Sequence, residues 1–379
     1  MADIEVRRIQ NRREKRTFLT FPWQVYEGDP LWVPPLLPER SRMIDPQRGL
    51  FFERGEADFF MAWKDGNVQG TICAAVDPPA NHRRGTRECI FGFLETVPDY
   101  RVFQALVDRA AEWGRKRGLK TLYGPWNLDY EDGYGVLISG RERPPALMCG
   151  HSPPYYQDYM ERYGFVPARP PNVALGLDLR DGKPFQRAFR VAQKLKERKN
   201  YQIREAEFDH WDEEIDRVLH LLNRALAHLE DHIGWRRDTL ASTLEPFKRI
   251  ADPELILFAE HEGQTVGFLP ALPDLNQVLI HVNGLRYPWD YLKLWWHMTF
   301  HPPRHMTVKS MLVLPEYWNT GVAVLLFAEL AQRLMDRGCP WVDLSITSQD
   351  NPNSMLIAEN HGAKVYKRWQ VYHYPLHGD

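Results

Sequence analysis

The 379 residues carry 48 Lys and Arg against 50 Asp and Glu, a net charge of −2, with 44 % hydrophobic residues and 13 Trp, 16 Tyr and 18 Phe. That length suits two domains with sizeable cores, and the evenly spread charge gives no electrostatic case for nucleic acid or an anionic membrane surface. Cys73, Cys89, Cys149 and Cys339 form no CxxC pair, no apolar run follows the charged MADIEVRRIQNRREKR, and no uncharged apolar stretch is long enough to span a bilayer, so zinc, disulfides, a signal peptide and a membrane span are not expected. The expectation is a soluble, reduced, cytoplasmic protein without nucleic-acid, membrane or metal partners, its oligomeric state open.

In chain order, ADFFMAWKDG and NVQGTICAAVD read as strands joined at Lys64-Asp65-Gly66-Asn67, a hairpin signal. ECIFGFLETV is the next strand, and VFQALVDRAAEWGRKRG has helical apolar spacing that stops at Gly118. TLYGPWN is a strand, followed by a loop and YYQDYMERYGF. After the basic stretch KPFQRAFRVAQKLKERKN, read as a bridging helix with a solvated cationic face, the order returns. ELILFAEHEG and QTVGFLPALP make a hairpin across His261-Glu262-Gly263, TVKSMLVL is a strand, TGVAVLLFAELAQRLMDRG a helix and PWVDLSIT a strand. NSMLIAEN as a short helix and KVYKRWQVYHY as a last strand close the chain. Both halves therefore run hairpin, strand, helix, strand, helix, strand. The fold class is α/β (α+β), with a mixed, mostly antiparallel sheet in each half and helices on both faces.

VLPEYWNTGVAVLLFAEL, residues 313–330, passes from buried strand to amphipathic helix with Gly321 at the junction. The first N–H groups of a helix have no helical carbonyl to use, and the helix dipole makes the spot they point at attractive to an anion such as a phosphate. Gly321 and Ala323 keep side chains out of its way, and Trp318, Asn319, Thr320, Gly321, Val322 and Ala323 offer the amides. The plain alternative is a helix start capped by Thr320 with nothing bound.

These residues resemble the acetyl-CoA site of GNAT acyltransferases, whose pattern is Val-x-Pro and then Gln/Arg-x-x-Gly-x-Gly/Ala opening a helix. Here Val313-Leu314-Pro315 is followed by Trp318-Asn319-Thr320-Gly321-Val322-Ala323, and Asn351, Ser354 and Gly362 stand in register with a second GNAT element. FPWQVYEGDPLWVPPL, GPWNLDYEDGYGVLISG and LPDLNQ are similar to stretches of bacterial tandem-GNAT proteins. The resemblance implies two tandem GNAT-like domains: a degenerate one over 1–178, a linker helix over 179–200, and one with the acyl-CoA site over 201–379. It further implies that Met311, Leu312 and Val313 pair with the pantetheine amides, that 318–323 cradle the pyrophosphate, and that Asn351 and Ser354 line the cofactor's arm. Trp318 departs from the usual Gln or Arg, and Ala358 stands where many relatives carry a Tyr acid, so Tyr366 or Tyr372 is a substitute unless each is strand packing. In the first half, Pro-Asp-Tyr-Arg follows FLETV with no Gly before the helix, so no amide cradle is expected there.

The implied activity is N-acyl transfer from acetyl-CoA, or another acyl-CoA, to a small amine by direct attack, with strand amides near Val313 for the oxyanion. Asp274 in LPDLNQ is the first candidate base, or else a turn former, and Glu316 near the cradle is another. His281 and Asn283 are weaker candidates, or edge-strand residues. His228 and His232 have helical metal spacing but no third ligand, and a solvated face is preferred. Asp129, Glu131 and Asp132 in the glycine-rich loop mark either function or a solvated insertion. PWDYLKLWWHMTF, expected between two strands of the second domain, is ordinary core, an acyl pocket wall, or buried against the first domain. Three other readings stay open: a non-catalytic CoA-binding or ligand-sensing module, a purely structural pseudo-enzyme that binds no CoA, and a Fem-type aminoacyl transferase, which the neutral charge disfavours.

Overall fold

A computed structural model describes residues 3–129, 132–145, 149–182, 185–228, 234–351, 355 and 362–376. The chain forms two compact units, neither contiguous: Met1–Val173 with Asn276–Pro302 and Lys367–Asp379, and Ala174–Leu275 with Pro303–Tyr366.

The first unit contains β1 (Glu5–Arg8), β2 (Glu56–Lys64), β3 (Asn67–Val76), β4 (Glu88–Thr96), β5 (Thr121–Gly124), β6 (Val136–Ser139) and β7 (Val166–Pro167). The second is built on β8 (Asn172–Asp178), β9 (Tyr201–Glu205), β10 (Ile256–His261), β11 (Gln264–Pro273), β12 (Met306–Val308), β13 (Leu312–Val313), β14 (Trp341–Ser348) and the start of β15 (Lys364–Gln370). Finally, β16 (Tyr372–Pro375) returns to the first unit.

Asp65 (φ 51) and Gly66 (φ 77) between β2 and β3, and Glu262 (φ 50) and Gly263 (φ 77) between β10 and β11, are left-handed in pairs. Such turns match the strand twist and close two-residue hairpins. The first sheet runs β1-β2-β3-β4-β5-β16-β7, with β4–β5 parallel and the other pairs antiparallel. The helix Tyr100–Arg115 buries Val102, Phe103, Leu106, Val107 and Ala110 against it, the spacing of one helical stripe. KVYKRWQVYHY is thus not one strand closing the second half. It divides at Val371, and β16 enters the first sheet because Tyr372 and Leu376 fill that core.

In the second unit the order is β15-β8-β14-β12-β11-β10-β9, with β12–β14 parallel and β13 attached, among the described residues, to β11 alone. Alternate residues of β10 serve opposite faces. Leu257 and Ala259 meet the helix Val322–Asp336 and the helix Gln186–Lys199, while Ile256 and Phe258 meet the helix Trp211–Ala225. Gly267 in β11 lets the helix Val322–Asp336 approach, since a Cβ there would lie 2.9 Å from Leu326 Cδ1 and 3.1 Å from Val322 Cγ1.

Two further expectations are corrected. His281 and Asn283 do not lie on an edge strand: Asn276–Leu279 is a helical turn, His281 N–H donates to Val278 O, and Asn283 starts a 3₁₀ turn. PWDYLKLWWHMTF is the helix Pro288–Phe300 of the first unit, and its aromatic residues are exposed rather than core.

Candidate active site

TVKSMLVL, expected as one strand, is broken. Lys309 N–H still donates to Pro270 O, but Ser310 turns left-handed (φ 51), and β13 resumes opposite β11 with Leu312 on Phe268 and Val313 on Gly267. The strand β14 pairs with β12 only at Val342 and Asp343, then runs on to Ser348. Among the described residues no bridge joins β13 to β14, so the two strands part. Ser345 (φ 63) and Ser310 mark the parting, one on each side.

Backbone alternation sets what faces this opening. Leu314 N–H donates to Val266 O, making 314/266 a hydrogen-bonded pair and 313/267 the intervening non-hydrogen-bonded one. The N–H and C=O of Val313 therefore point away from β11. The carbonyl accepts the indole N–H of Trp318 at 2.9 Å, with that ring 42 % exposed and edge-on to His228. Met311 lies in the break before β13, and Leu312 is buried under the helix Trp211–Ala225.

Asp343, fully buried, stands where the strands part. Its carboxylate accepts from Thr307 Oγ1 at 2.9 Å, Tyr366 Oη at 2.9 Å and Ser345 N–H at 3.1 Å. Burial raises its pKa above the usual carboxylate value, opposed by the Lys309 ammonium and these donors. Lys309 Nζ also reaches Ser345 Oγ at 3.4 Å. A buried acid with a raised pKa holding a tyrosine hydroxyl is the arrangement proton transfer needs.

At the mouth, Pro315–Tyr317 is a 3₁₀ turn, Asn319 is left-handed (φ 63), and Gly321 (φ 99) is the N-cap of the helix Val322–Asp336, with no side-chain cap. Thr320 is not that cap, since its hydroxyl donates to Tyr317 O at 2.7 Å. The first-turn amides thus keep the anion-binding character of an uncapped helix start. Gly321 is required by its φ, and a Cβ there would meet Leu195 Cδ1 at 2.7 Å, so the space beside it holds the helix Gln186–Lys199. The first unit differs at the equivalent junction. Asp99 caps the helix Tyr100–Arg115 by accepting from Arg101 N–H and pairs with Lys64, so that end is already neutralised, in line with the missing glycine.

Of the other singled-out residues, Asp274 is buried just past β11, its N–H on His305 O, beyond the closed end of the opening rather than at its mouth. Glu316 is exposed and paired with Arg224 at 2.8 Å. Asn351 lies after β14, its carbonyl accepting from Met355 N–H. Ser354, Ala358, His232 and Glu131 lie outside the described residues. Tyr372 belongs to the first unit's core, where burial pushes its hydroxyl to about 12. Asp129 and Asp132 are held by Arg54 and Arg40, an anchoring rather than a ligand set. No cluster of metal-ligating side chains occurs among the described residues. Sequence reasoning missed Asp343, Thr307 and Lys309. One signal was present: an acid between Val342 and Leu344 in a strand with no other charged residue.

An open strand edge beside an uncapped helix start is the arrangement of an acyltransferase. Residues 215–363 match the model of the acetyltransferase (GNAT) family. Over the whole length of both chains, the fold aligns with a tandem GNAT protein from the clavulanic acid biosynthesis pathway, at TM-score 0.58 and 14 % identity. Residues 215–363 thus form a domain similar to the GNAT acetyltransferases, in a chain with the tandem GNAT fold. Among particular relatives, it is 27 % identical over 379 residues to a bacterial ceramide synthase of Caulobacter vibrioides, covering 98 % of this chain and 97 % of that one. It is 26 % identical over 382 residues to protein YghO of Escherichia coli, covering 97 % and 94 %.

Proposed function

We propose that the second unit moves an acyl group from an acyl-CoA to the nitrogen of an amine, and that the amine is a long-chain amino alcohol of the kind a ceramide synthase acylates. The observation that carries the transfer is the outward N–H and C=O of Val313 in the same opening as the uncapped helix start at Gly321. The amine class is supported by the whole-length similarity to the ceramide synthase.

In this reading the cradle 318–323 holds the pyrophosphate through the amides of Asn319, Gly321, Val322 and Ala323, those of Trp318 and Thr320 being donated to Pro315 O and Tyr317 O. Met311, Leu312 and Val313 flank the pantetheine, and Asn351 and Ser354 line its arm. When bound, the thioester supplies an electrophilic carbonyl and a thiolate leaving group. The N–H of Val313 stabilises the developing oxyanion. Glu316 at the mouth takes the ammonium proton through water, Asp274 being the alternative because it lies buried beyond the closed end. The C–N bond forms as the C–S bond breaks; Tyr366, oriented by Asp343, gives its proton to the departing sulfur and regains one through water from the nitrogen's second proton. One observation favours the non-catalytic acyl-CoA sensor instead: the Trp318 indole occupies the edge acceptor at Val313.

The test is incubation of the full chain with long-chain acyl-CoA and a long-chain amino alcohol, followed by mass spectrometry. Amide formation matched by free thiol supports the reading. Acyl-CoA binding without amide from any amine in a chain-length panel rejects it for the sensor.

A further inference from the structure

Among the described residues, the helix Pro288–Phe300 is the most exposed apolar element. Trp289, Tyr291, Leu292, Trp295, Trp296 and Phe300 are each between 50 and 69 % exposed. At 100° per residue they fill one half of the helix circumference. The other half carries Asp290, Leu294, His297 and Met298, and there Asp290 is fully buried. Taking about 200 Å² per large side chain, the arc exposes on the order of 700 Å². That exceeds the roughly 300–600 Å² of the largest patch on a typical monomer.

The arc stands on a fixed base. The Tyr287/Asp290 capping box starts the helix, with Asp290 accepting from Tyr287 N–H at 2.9 Å. Just before it, Trp23 Nε1 donates to Asn283 Oδ1, and Gly284 is packed so closely that a Cβ would lie 2.4 Å from Pro35 O. His281 and His297 stack at 4.6 Å. The aromatic side chains are thus displayed by a rigid element.

We infer that the helix Pro288–Phe300 is an in-plane membrane anchor that docks the first unit on an anionic lipid surface. Two observations choose lipid over another protein, and the helix length sets how it sits there. Indole and phenol groups pair an apolar ring with a polar head, which suits the bilayer interface. The charged groups beside the arc are Arg286, whose guanidinium lies over Trp23 and Tyr287, and the half-exposed Lys293, 3.4 Å from the buried Asp290. Asp290 is the single acidic residue over 276–302, so the segment keeps one net positive charge. That rim complements anionic headgroups, whereas a second copy would set like charges against each other. Thirteen residues rise about 20 Å, too short to cross a bilayer, so the helix lies in its surface. The near-zero net charge, which argued against a membrane partner, is an average that hides this local asymmetry.

The experiment is flotation of the full chain with vesicles of phosphatidylcholine, with and without 30 mol% phosphatidylglycerol, at low and high salt, alongside the double variant Trp295→Ser, Trp296→Ser. Both residues are exposed, so the variant is expected to fold, checked by its unfolding midpoint. The proposal expects the wild type to float with the anionic vesicles, less so at high salt, with a blue-shifted tryptophan emission. It expects the double variant to lose at least about 10-fold in partitioning, and Lys293→Glu to lose severalfold on anionic vesicles alone. Equal partitioning of wild type and double variant, or none by either, overturns it. So does a wild-type dimer in light scattering that the double variant dissolves, since that assigns the arc to a second copy. Flotation involves no turnover, so its outcome is independent of whether the acyl-transfer reading holds.

Discussion

The indole N–H of Trp318 donates to the carbonyl of Val313 at 2.9 Å, across the mouth of the opening between β13 and β14. The edge acceptor on which the cofactor reading depends is therefore already engaged by the residue that departs from the family pattern.

Removing that donor should help binding. Trp318→Phe keeps a ring and frees the carbonyl, and one net hydrogen bond is worth about 0.5–1.5 kcal/mol. Acyl-CoA should bind about 2- to 10-fold more tightly by calorimetry. Weaker binding by the variant would mean that the indole contacts the cofactor instead of competing with it.

Asp343 and Tyr366 should act in turnover more than in binding. Tyr366→Phe and Asp343→Asn are each expected to lower kcat by about 10²–10⁴ while KM for acyl-CoA stays within a few fold. Tyr366→Phe also leaves a buried carboxylate short of a donor, a stability loss of about 1–3 kcal/mol in chemical denaturation. Unchanged kcat in both variants would reduce this network to a structural clamp.

Gly267 sets the distance between β11 and the helix that starts at Gly321. Gly267→Ala places a methyl 2.9 Å from Leu326 and 3.1 Å from Val322, both fully buried. Overpacking of this kind costs about 1–3 kcal/mol. The denaturation midpoint should fall and acyl-CoA affinity with it, as the helix start is displaced. A stable variant with wild-type affinity would show that the helix tolerates the shift.

In the first unit, burial raises Glu95 from 4.5 to about 7, opposed by hydroxyls of Tyr156 and Tyr26 and by Arg40. The folded pKa exceeds the unfolded one, so its contribution to stability is complete below about pH 4.5 and is lost as pH rises through about 7. Glu95→Gln cannot titrate. The fall in wild-type unfolding midpoint between pH 5 and 8 should therefore be smaller in the variant. An identical fall would place the effect on other groups.

Much of the fold was legible where chemistry is local. Asp65-Gly66 and Glu262-Gly263 announce left-handed turns, and the apolar spacing of 322–336 announces a helix with one buried face. What stayed hidden depends on distant partners. Ser310 is no glycine, so nothing in TVKSMLVL signals the break that opens the edge at Val313. The division of the last strand at Val371 follows from which core Tyr372 fills. Tyr366 was singled out for its hydroxyl, but its partner Asp343 belongs to no motif. The aromatic run 288–300 read as core because composition reports apolarity and not burial.

The most direct measurement is calorimetric titration of acetyl-CoA and a long-chain acyl-CoA into the wild type and Gly321→Asp. An aspartate there would strain a backbone at φ 99, set its Cβ 2.7 Å from Leu195 Cδ1 so that the helix start shifts, and bring a negative charge to that helix start. The account predicts micromolar binding by the wild type, abolished in Gly321→Asp, with the variant's fold intact by circular dichroism. Absence of binding by the wild type, or equal binding by the two proteins, would contradict an acyl-CoA site at residues 318–323.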